Sequence, residues 1–450
     1  MTAIAQALPK RPSPVDVVRI NSRLNVGGIA RHVAWLSAGL ESKGYWTLLV
    51  AGRVPTGEAD MRPFVEAQGV APLYLTEMSR EISPKDLVTV WKLFRLLQAT
   101  RPRIVHTHAA KAGAVGRAAA WLYRWATWGT LIGRPRRVRV VHTFHGHIFH
   151  SYYGRLKTWA FLTVERLLAR LATDRIVAIS PKLRDEIQDT YRVGRADQFA
   201  VIPLGLDLSA YARWAERPAQ LRAELGAREN DVLVGIVGRL TEIKDHALFL
   251  EVAARYRAVV GSAGQRVRFV IVGDGHLRGA LEQKARELNL TGVVNFLGMR
   301  DDPEVFYPGL DVVALTSKNE GTPLTLIEGM ANARPAIATD VGGVSDLLGA
   351  SGEVGDGFAV CQRGLLVRSG DADAFARGLA RLVDDSSLRR TLGARGLAFV
   401  TEQYSKDRLL DDMAELYAEL LDLSNLGSNQ TSTSRTQKWS PYARVSIPAI

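Results

Sequence analysis

The sequence predicts an α/β protein of two Rossmann-like parallel-sheet domains facing a central cleft, and three observations predict it. Short apolar runs alternate with amphipathic helical stretches along most of the chain. That alternation is the pattern of parallel strands joined by crossover helices. The pattern restarts after residue 230. One sheet holding every run would need about eleven strands, wider than open sheets usually grow. The length of 450 residues agrees, since single cores rarely exceed roughly two hundred residues.

The elements follow in order. Strands are expected over residues 15–21, 47–52, 104–108, 138–145, 176–180 and 199–204, with helices at 29–43, 84–99 and 155–172 among them. A second set of strands is expected at 233–237, 268–272, 293–297, 312–316 and 336–339. The boundary falls after Gly205-Leu206-Asp207, separating an N-terminal domain (15–208) from a C-terminal domain (231–404). Residues 209–230 are charged and helix-prone, without strand character, and read as a connector. A helix at 405–423 ends the folded part. The tail 424–450 is rich in Ser, Thr and Asn and is expected to be disordered. Ligands of open α/β sheets bind beyond the carboxyl ends of the strands, so the active site is expected in the cleft.

Composition narrows the class. Hydrophobic residues make up 47% and charged residues 23%, ordinary for a globular protein. The single cysteine, Cys361, excludes an internal disulfide framework and a thiolate metal cluster, and suits a reducing compartment. The first fourteen residues lack the apolar core of a signal peptide. The best membrane-span candidate, residues 112–132, is interrupted by Arg117 and Arg124. The net charge of +12 is local: residues 101–200 hold 18 Lys and Arg against 6 Asp and Glu, and the remainder balances. Such a basic region suits an anionic partner, or is simply a solvated face. Within it Trp121, Tyr123, Trp125 and Trp128 interleave with Arg124, and Arg134, Arg136, Arg137 and Arg139 follow. That mixture suits a bilayer interface, unless the aromatics are core.

Four segments carry candidate chemistry. In Asn319-Glu320-Gly321-Thr322-Pro323-Leu324-Thr325-Leu326-Ile327-Glu328, a strand leads into a helix start, with Thr322 as N-cap and Pro323 at the first helical position. The unpartnered N–H groups and the positive end of the helix dipole there suit a diphosphate. Glu320 lies outside the mouth. Glu328 lies about 9 Å further along, so the two carboxylates could each hold a different sugar. The second segment, Gly238-Arg239-Leu240-Thr241-Glu242-Ile243-Lys244, follows the first strand of the second domain and projects two cations suited to phosphoryl oxygens. The third, Gly27-Gly28, opens the first helix and permits close approach of a phosphate or sugar. No Gly-x-Gly-x-x-Gly accompanies it, so a nicotinamide or flavin is not indicated. Gly273-Asp274-Gly275 reads as a structural turn. The fourth is a histidine cluster: His106, His108, His142, His145, His147 and His150. Zinc is not favoured, because no cysteine or nearby carboxylate joins them. The strand ends are instead expected to present histidines to substrate, His145 foremost, beside Gly146.

Taken together these residues resemble the retaining glycosyltransferases of family 4, which have the GT-B fold. The resemblance covers roughly residues 15–422. It rests on Glu320-x7-Glu328, on Gly238-Arg239-Leu240-x3-Lys244 upstream, on the early Gly27-Gly28, and on Asp340-Val341-Gly342-Gly343 and Pro203-Leu204-Gly205-Leu206-Asp207. It implies that Arg239 and Lys244 bind the donor diphosphate. Glu320 would contact the transferred sugar, and Glu328 the ribose. Gly321, Thr322, Pro323, Leu324 and Thr325 would surround the phosphate or sugar, with Gly238 and Gly28 lining it. His145 would sit near the reacting sugar, and the backbone at Met299 and Arg300 would face the base. It implies no cofactor and no metal, a UDP-hexose or UDP-N-acetylhexosamine donor, and a glycan or lipid-linked acceptor. It also fits a cytoplasmic enzyme, peripheral at the inner membrane face. Two other readings stay open: a sugar-nucleotide epimerase of the same architecture, and a nucleic-acid-binding protein using the basic domain, for which no binding motif is seen.

Overall fold

The computed structural model describes residues 15–25, 27–55, 60–78, 83–146, 155–211, 214–216, 219–261 and 266–425. Of the expected tail 424–450, residues 424 and 425 instead close the terminal helix, and the rest, with His147 and His150, lies outside the described residues. The chain divides into two units: residues 1–205 with 406–450, and residues 206–405.

The first unit is built on a seven-stranded parallel sheet in the order β3-β2-β1-β4-β5-β6-β7. The strands are β1 (Val17–Asn21), β2 (Thr47–Gly52), β3 (Leu73–Leu75), β4 (Ile104–His108), β5 (Arg139–Phe144), β6 (Arg175–Ala178) and β7 (Phe199–Val201). β1, β2 and β4 are buried on both faces, which is why they read as continuous apolar runs rather than alternating ones. Buried polar residues nonetheless stand in these strands: Arg19 and Asn21 in β1, Thr47 in β2, and His106, Thr107 and His108 in β4, with Arg19 and the three of β4 at 0% exposure. β3 is too short and half-buried to have shown as a strand in the sequence.

The terminal helix Lys406–Asn425 is part of this unit and not an appendage. Leu409, Met413, Leu416, Tyr417 and Leu420 pack against Val17, Leu36, Ile104, Val141 and Val177. Spacings of three and four put these residues on one helix face, and Arg408 fastens the helix to the carbonyls of Pro203 and Leu204 at 2.7 and 2.8 Å.

The second unit holds an eight-stranded sheet in the order β10-β9-β8-β11-β12-β15-β14-β13. Its strands are β8 (Val232–Val237), β9 (Val267–Val272), β10 (Val294–Gly298), β11 (Val312–Leu315), β12 (Ala336–Thr339), β13 (Ser351–Gly355), β14 (Phe358–Cys361) and β15 (Gly364–Val367). β14 and β13 run antiparallel at one edge; the sequence reading did not include this three-strand extension after β12. The expected connector is no free linker. It carries short helical turns and the helix Ala219–Glu224, whose Leu221 is fully buried and which is laid against Gly309. Burial of one apolar residue per turn is enough to hold so short a helix.

In the parallel part of each sheet the strand order reverses direction once, between β1 and β4 and between β8 and β11. Chain leaving the carboxyl ends of those neighbours must diverge to opposite faces, which opens a crevice. Gly27-Gly28 and His108 follow the first pair, and Gly238–Lys244 and Ser317–Glu320 follow the second.

Candidate active site

In the second unit, the loops after β8 and β11 are stitched together. Thr316 Oγ1 donates to the carbonyls of Lys244 and Asp245 at 3.1 and 2.9 Å, and Lys318 N–H donates to Ile243 O at 2.8 Å. Asp245 takes a left-handed backbone, φ 47°, and caps the helix His246–Val260 through Leu248 N–H. These bonds set Lys244 and Glu320 against each other: Lys244 Nζ donates to Glu320 Oε1 at 2.5 Å, and Ser317 Oγ donates to the same oxygen at 2.6 Å. Both side chains are largely screened from water, at 25% and 9% exposure, so the contact is stronger than a typical surface pair. Arg239 is exposed and has no ion-pair partner among the described residues. It stands as a cation available to an anion.

The helix after β11 starts later than the sequence suggested. It runs from Leu324 to Ala331 with Pro323 as its N-cap, and Thr322 caps nothing. The residue before a proline is held out of helical geometry, and Pro323 itself is extended at ψ 105°. The first helical residue is therefore Leu324, whose N–H and that of Thr325 have no intrahelical acceptor. Leu326 and Ile327 both donate to Pro323 O. The hydroxyls of Thr322 and Thr325 are buried without a protein partner, the pattern of polar atoms waiting for a ligand. Gly321 and Glu320 are held from below by Gly343, whose N–H lies 2.9 Å from Gly321 O. A Cβ on Gly342, at φ 52°, would sit 1.6 Å from Glu320 O, and one on Gly343 would sit 2.2 Å from Gly321 O. The same kind of close approach explains the turn after β9: a Cβ on Gly273 would fall 2.0 Å from Gly238 O.

Glu328 is only 8% exposed and accepts a hydrogen bond from Tyr307 Oη at 2.9 Å. Tyr307 was not among the sequence-derived candidates; no local motif marks it. Arg300 was expected to offer its backbone, and its side chain is engaged elsewhere. Its guanidinium is spent on Asp302 (2.8 and 2.6 Å) and on Glu224 (2.8 Å). The hydrogen bond to Asp302, then that to Glu224, raises its pKa above the ordinary value. Its side chain is thus a brace of the second unit, and only backbone there is left for a ligand.

In the first unit, the histidines sort by face. Side chains two apart on a strand share a face, so His106 and His108 lie with Arg19 and Thr143 on the side covered by the terminal helix, and His142 lies on the other. His142 Nδ1 is 2.8 Å from Thr107 Oγ1, a structural contact and not part of a substrate group. His32, from the helix Gly28–Gly39, joins instead. Its ring lies 4.9 Å from that of His145 and 5.7 Å from that of His108. The sequence offered no sign of this, since His32 is remote along the chain. His145 Nε2 lies 3.0 Å from His108 Nδ1. Gly28 begins its helix and Gly27 faces open space. All these imidazoles are held neutral. Burial is the main cause for each, with Arg19 or neighbouring histidines adding to it, and His145 is pushed down to about 3.

Ring nitrogens of His32, His108 and His145 lie within 4.8 Å of one another, a spacing a metal could use. The donor chemistry opposes it. Arg19 Nη1 is 3.0 Å from His108 Nε2 and can only donate, which leaves the proton of neutral His108 on Nδ1, the atom turned to His145. The adjacent buried guanidinium also repels a dication.

In the basic segment, Trp121 and Trp125 are each 41% exposed and Trp128 is 87% exposed. Tyr123 is core, at 4%, with the Arg136 guanidinium 4.9 Å above its ring. Arg124 is drawn into a 2.5 Å contact with Asp174. No described helix is long and apolar enough to cross a membrane.

Comparison with known proteins identifies the family and the fold. The family model of group 1 glycosyl transferases matches residues 219–398, and that of glycosyltransferase family 4 matches residues 26–210. A UDP-Gal:α-D-GlcNAc-diphosphoundecaprenol α-1,3-galactosyltransferase of Escherichia coli is 31% identical over 329 residues, 71% of this chain and 76% of the relative. A D-inositol 3-phosphate glycosyltransferase of Nocardia farcinica is 31% identical over 424 residues, 88% of each chain. Among solved structures, Anabaena HepE in complex with UDP superposes with a TM-score of 0.71 at 19% identity, covering 90% of this chain and all of that one. Sucrose-phosphate synthase of Thermosynechococcus elongatus does so at 0.68 and 22%, covering 91% and 100%.

Proposed function

Since this chain belongs to glycosyltransferase family 4 and has the GT-B fold, we propose that it transfers a hexose or N-acetylhexosamine from a UDP-sugar, with retention and without a metal, to a lipid-linked or cell-surface glycan. The observation that carries this reading is the Lys244–Glu320 contact at the β8/β11 crevice, beside the open start of the helix Leu324–Ala331.

The roles follow from the chemistry. Departure of a diphosphate builds negative charge as the sugar becomes oxocarbenium-like. Arg239, Lys244 and the N–H groups of Leu324 and Thr325 oppose that charge in a site that is already ordered, which is where electrostatic catalysis is most effective. The hydroxyls of Thr322 and Thr325 donate to phosphate oxygens, and Gly238 and Gly321 give room for them. Glu320 accepts from hydroxyls of the transferred sugar, and Glu328, steadied by Tyr307, from those of the ribose. In the first unit, Gly28 and His145 are the substrate-facing groups. Two cations and a helix start can neutralise a diphosphate unaided, which is the basis for a metal-free reaction. Retention agrees with a leaving phosphate serving as its own base.

The E. coli relative's name supports a UDP-sugar donor and a diphosphate-linked acceptor, and a Staphylococcus aureus relative is named for capsular polysaccharide biosynthesis. Exposed Trp121, Trp125, Trp128, Leu131 and Ile132 beside the basic segment favour peripheral attachment at the inner face of an anionic membrane. Flotation with anionic vesicles at low salt tests that part; a protein that stays in the bottom fraction removes it. For the reaction itself, UDP-sugars are screened by thermal shift, and the stabilising donors are incubated with lipid-diphosphate saccharides in EDTA. Mass spectrometry should find a lengthened acceptor and NMR an unchanged anomeric configuration. An inverted linkage, or activity only after metal is restored, defeats the corresponding clause. A converted sugar nucleotide with no acceptor product defeats transfer itself.

A further inference from the structure

We propose that Arg19 is a positioning residue for His145. Acting through His108, it fixes His145 in the tautomer protonated on Nδ1, so that this nitrogen meets substrate as a hydrogen-bond donor. The proposal rests on the reading of His145 as a substrate-facing group.

A charged residue in the middle of a central strand needs a reason. Arg19 pairs in register with His106 on β4, is 0% exposed, and has no carboxylate partner among the described residues. Its Nε is buried without an acceptor. A buried cation kept on these terms is costly, and everything its two Nη atoms touch is a ring or a phenol. Nη1 lies 3.1 Å from His106 Nδ1 and 3.0 Å from His108 Nε2, and Nη2 donates to Tyr417 Oη at 3.2 Å.

Guanidinium has no lone pair to give, so each facing ring nitrogen must accept. The two branches then resolve themselves. Along the first, His106 accepts at Nδ1, which Tyr417 Oη also approaches at 2.6 Å, and its Nε2–H donates to Thr143 Oγ1 at 2.7 Å. This branch anchors the guanidinium. Along the second, His108 accepts at Nε2, so a neutral His108 carries its proton on Nδ1. That N–H points at His145 Nε2, 3.0 Å away, which must be the lone pair. His145 is then protonated on Nδ1, an atom with no hydrogen bond among the described residues.

Neutrality is the condition for this chain of deductions, and the surroundings enforce it. The groups facing the cluster are His32 from the helix Gly28–Gly39 and Arg408 and Tyr417 from the terminal helix, while His142 acts on it only through the sheet. None is acidic. A second proton on His106, His108 or His145 would set N–H against guanidinium or against N–H. A His145 of the opposite tautomer would offer a lone pair and act as a base at that atom. The Nδ1–H form cannot; it can hold a sugar hydroxyl oxygen or a carbonyl, and it orients the substrate without removing a proton from it.

The test is long-range 1H–15N correlation on the full-length protein with labelled histidines at pH 7.5. His108→Gln and His145→Gln assign the signals. The expected wild-type spectrum shows both rings as Nδ1–H. In Arg19→Met, which removes an uncompensated buried charge at similar volume and is expected to fold, His145 should shift to Nε2–H or to an averaged signal. With the donor that the thermal-shift screen identifies, kcat should fall by about ten-fold, the worth of one well-placed hydrogen bond, while the donor KM moves much less. Arg19→Lys, which keeps a donor, should retain more of kcat than Arg19→Met. A wild-type His145 protonated on Nε2 overturns the proposal, and so does a His145 tautomer unchanged in Arg19→Met. If Arg19→Met fails to fold, the wild-type spectrum decides alone. Activity of His145→Ala is a separate matter: an undiminished rate would remove His145 from the reaction while leaving the tautomer relay intact.

Discussion

Glu320→Gln should move the binding of UDP and of UDP-sugar in opposite directions. Glu320 Oε1 receives both Lys244 Nζ, at 2.5 Å, and Ser317 Oγ, at 2.6 Å. A diphosphate that recruits Lys244 must first take it from Glu320. Exposed ion pairs contribute roughly 0.2–1 kcal/mol and charge-assisted hydrogen bonds roughly 1.5–3 kcal/mol. With the two side chains at 25% and 9% exposure, the pair lies between those limits, so about 1 kcal/mol is a fair value. Glutamine keeps the volume and can still accept from Ser317, but it releases Lys244. UDP should therefore bind about five-fold more tightly to Glu320→Gln. The intact UDP-sugar loses the carboxylate that its hydroxyls would contact, and should bind more weakly despite the freed lysine. Isothermal titration of both ligands to both proteins measures this at fixed ionic strength. If UDP binds the variant no better than the wild type, Lys244 does not reach the diphosphate and the assignment of the pair fails.

Other expectations follow from single contacts. Gly342→Ala places a Cβ against Glu320 O in a left-handed backbone; it should lose about a hundred-fold in rate or more, because a displacement near 1 Å at a catalytic group costs that much, while circular dichroism stays native. Tyr307→Phe removes the hydroxyl that donates to Glu328 and should weaken UDP binding by about ten-fold, the scale of a hydrogen bond to a charged group; unchanged affinity would detach Glu328 from the ribose. Glu165→Ala strands Arg117, whose Nη2 donates to both carboxylate oxygens at 2.8 and 2.6 Å with 0% and 1% exposure, and should destabilise the first unit by about 3–5 kcal/mol in urea titration, whereas Arg117→Met with Glu165→Leu should come out close to neutral. Acid should destabilise the same unit early. Its histidines have folded pKa values below the unfolded value of about 6.5, so the unfolded chain binds more protons between that pH and about 3, the folded value of His145. Their contribution is complete above pH 6.5 and is lost as pH falls, at up to about 1.4 kcal/mol per unit for each ring; urea midpoints that stay equal at pH 7.5 and 5.5 would contradict this.

The two-sheet architecture was legible because its signal is periodic and local. Strands buried on both faces are mostly apolar runs, and crossover helices must be amphipathic, so β2, β8 and β9 show themselves directly and the apolar starts of β1 and β4 do so despite the polar residues that follow. The short β3 and the exposed β13 carry too little burial to leave such a trace. The turn chemistry after β11 was read one residue early, at Thr322 and not Pro323, because a proline's fixed φ suits both the cap and the first helical position, and only its ψ distinguishes them.

By itself the sequence determined where groups suited to phosphate stand along the chain. Glycines at strand ends, paired cations and a carboxylate before a helix need only local geometry, and Gly27-Gly28, Arg239, Lys244, Glu320 and Glu328 follow from it. Tertiary structure decided which of these groups face each other and which are spent elsewhere. It joined Lys244 to Glu320, gave Tyr307 to Glu328, and consumed Arg300 on Asp302 and Glu224. It also gathered Arg19, His32, His108, His145 and Tyr417 from two strands, two helices and the turn after β5 into one network. The reason is physical: a side chain's charge state and tautomer depend on neighbours brought near by sheet order and helix packing, and no spacing along the chain records those distances.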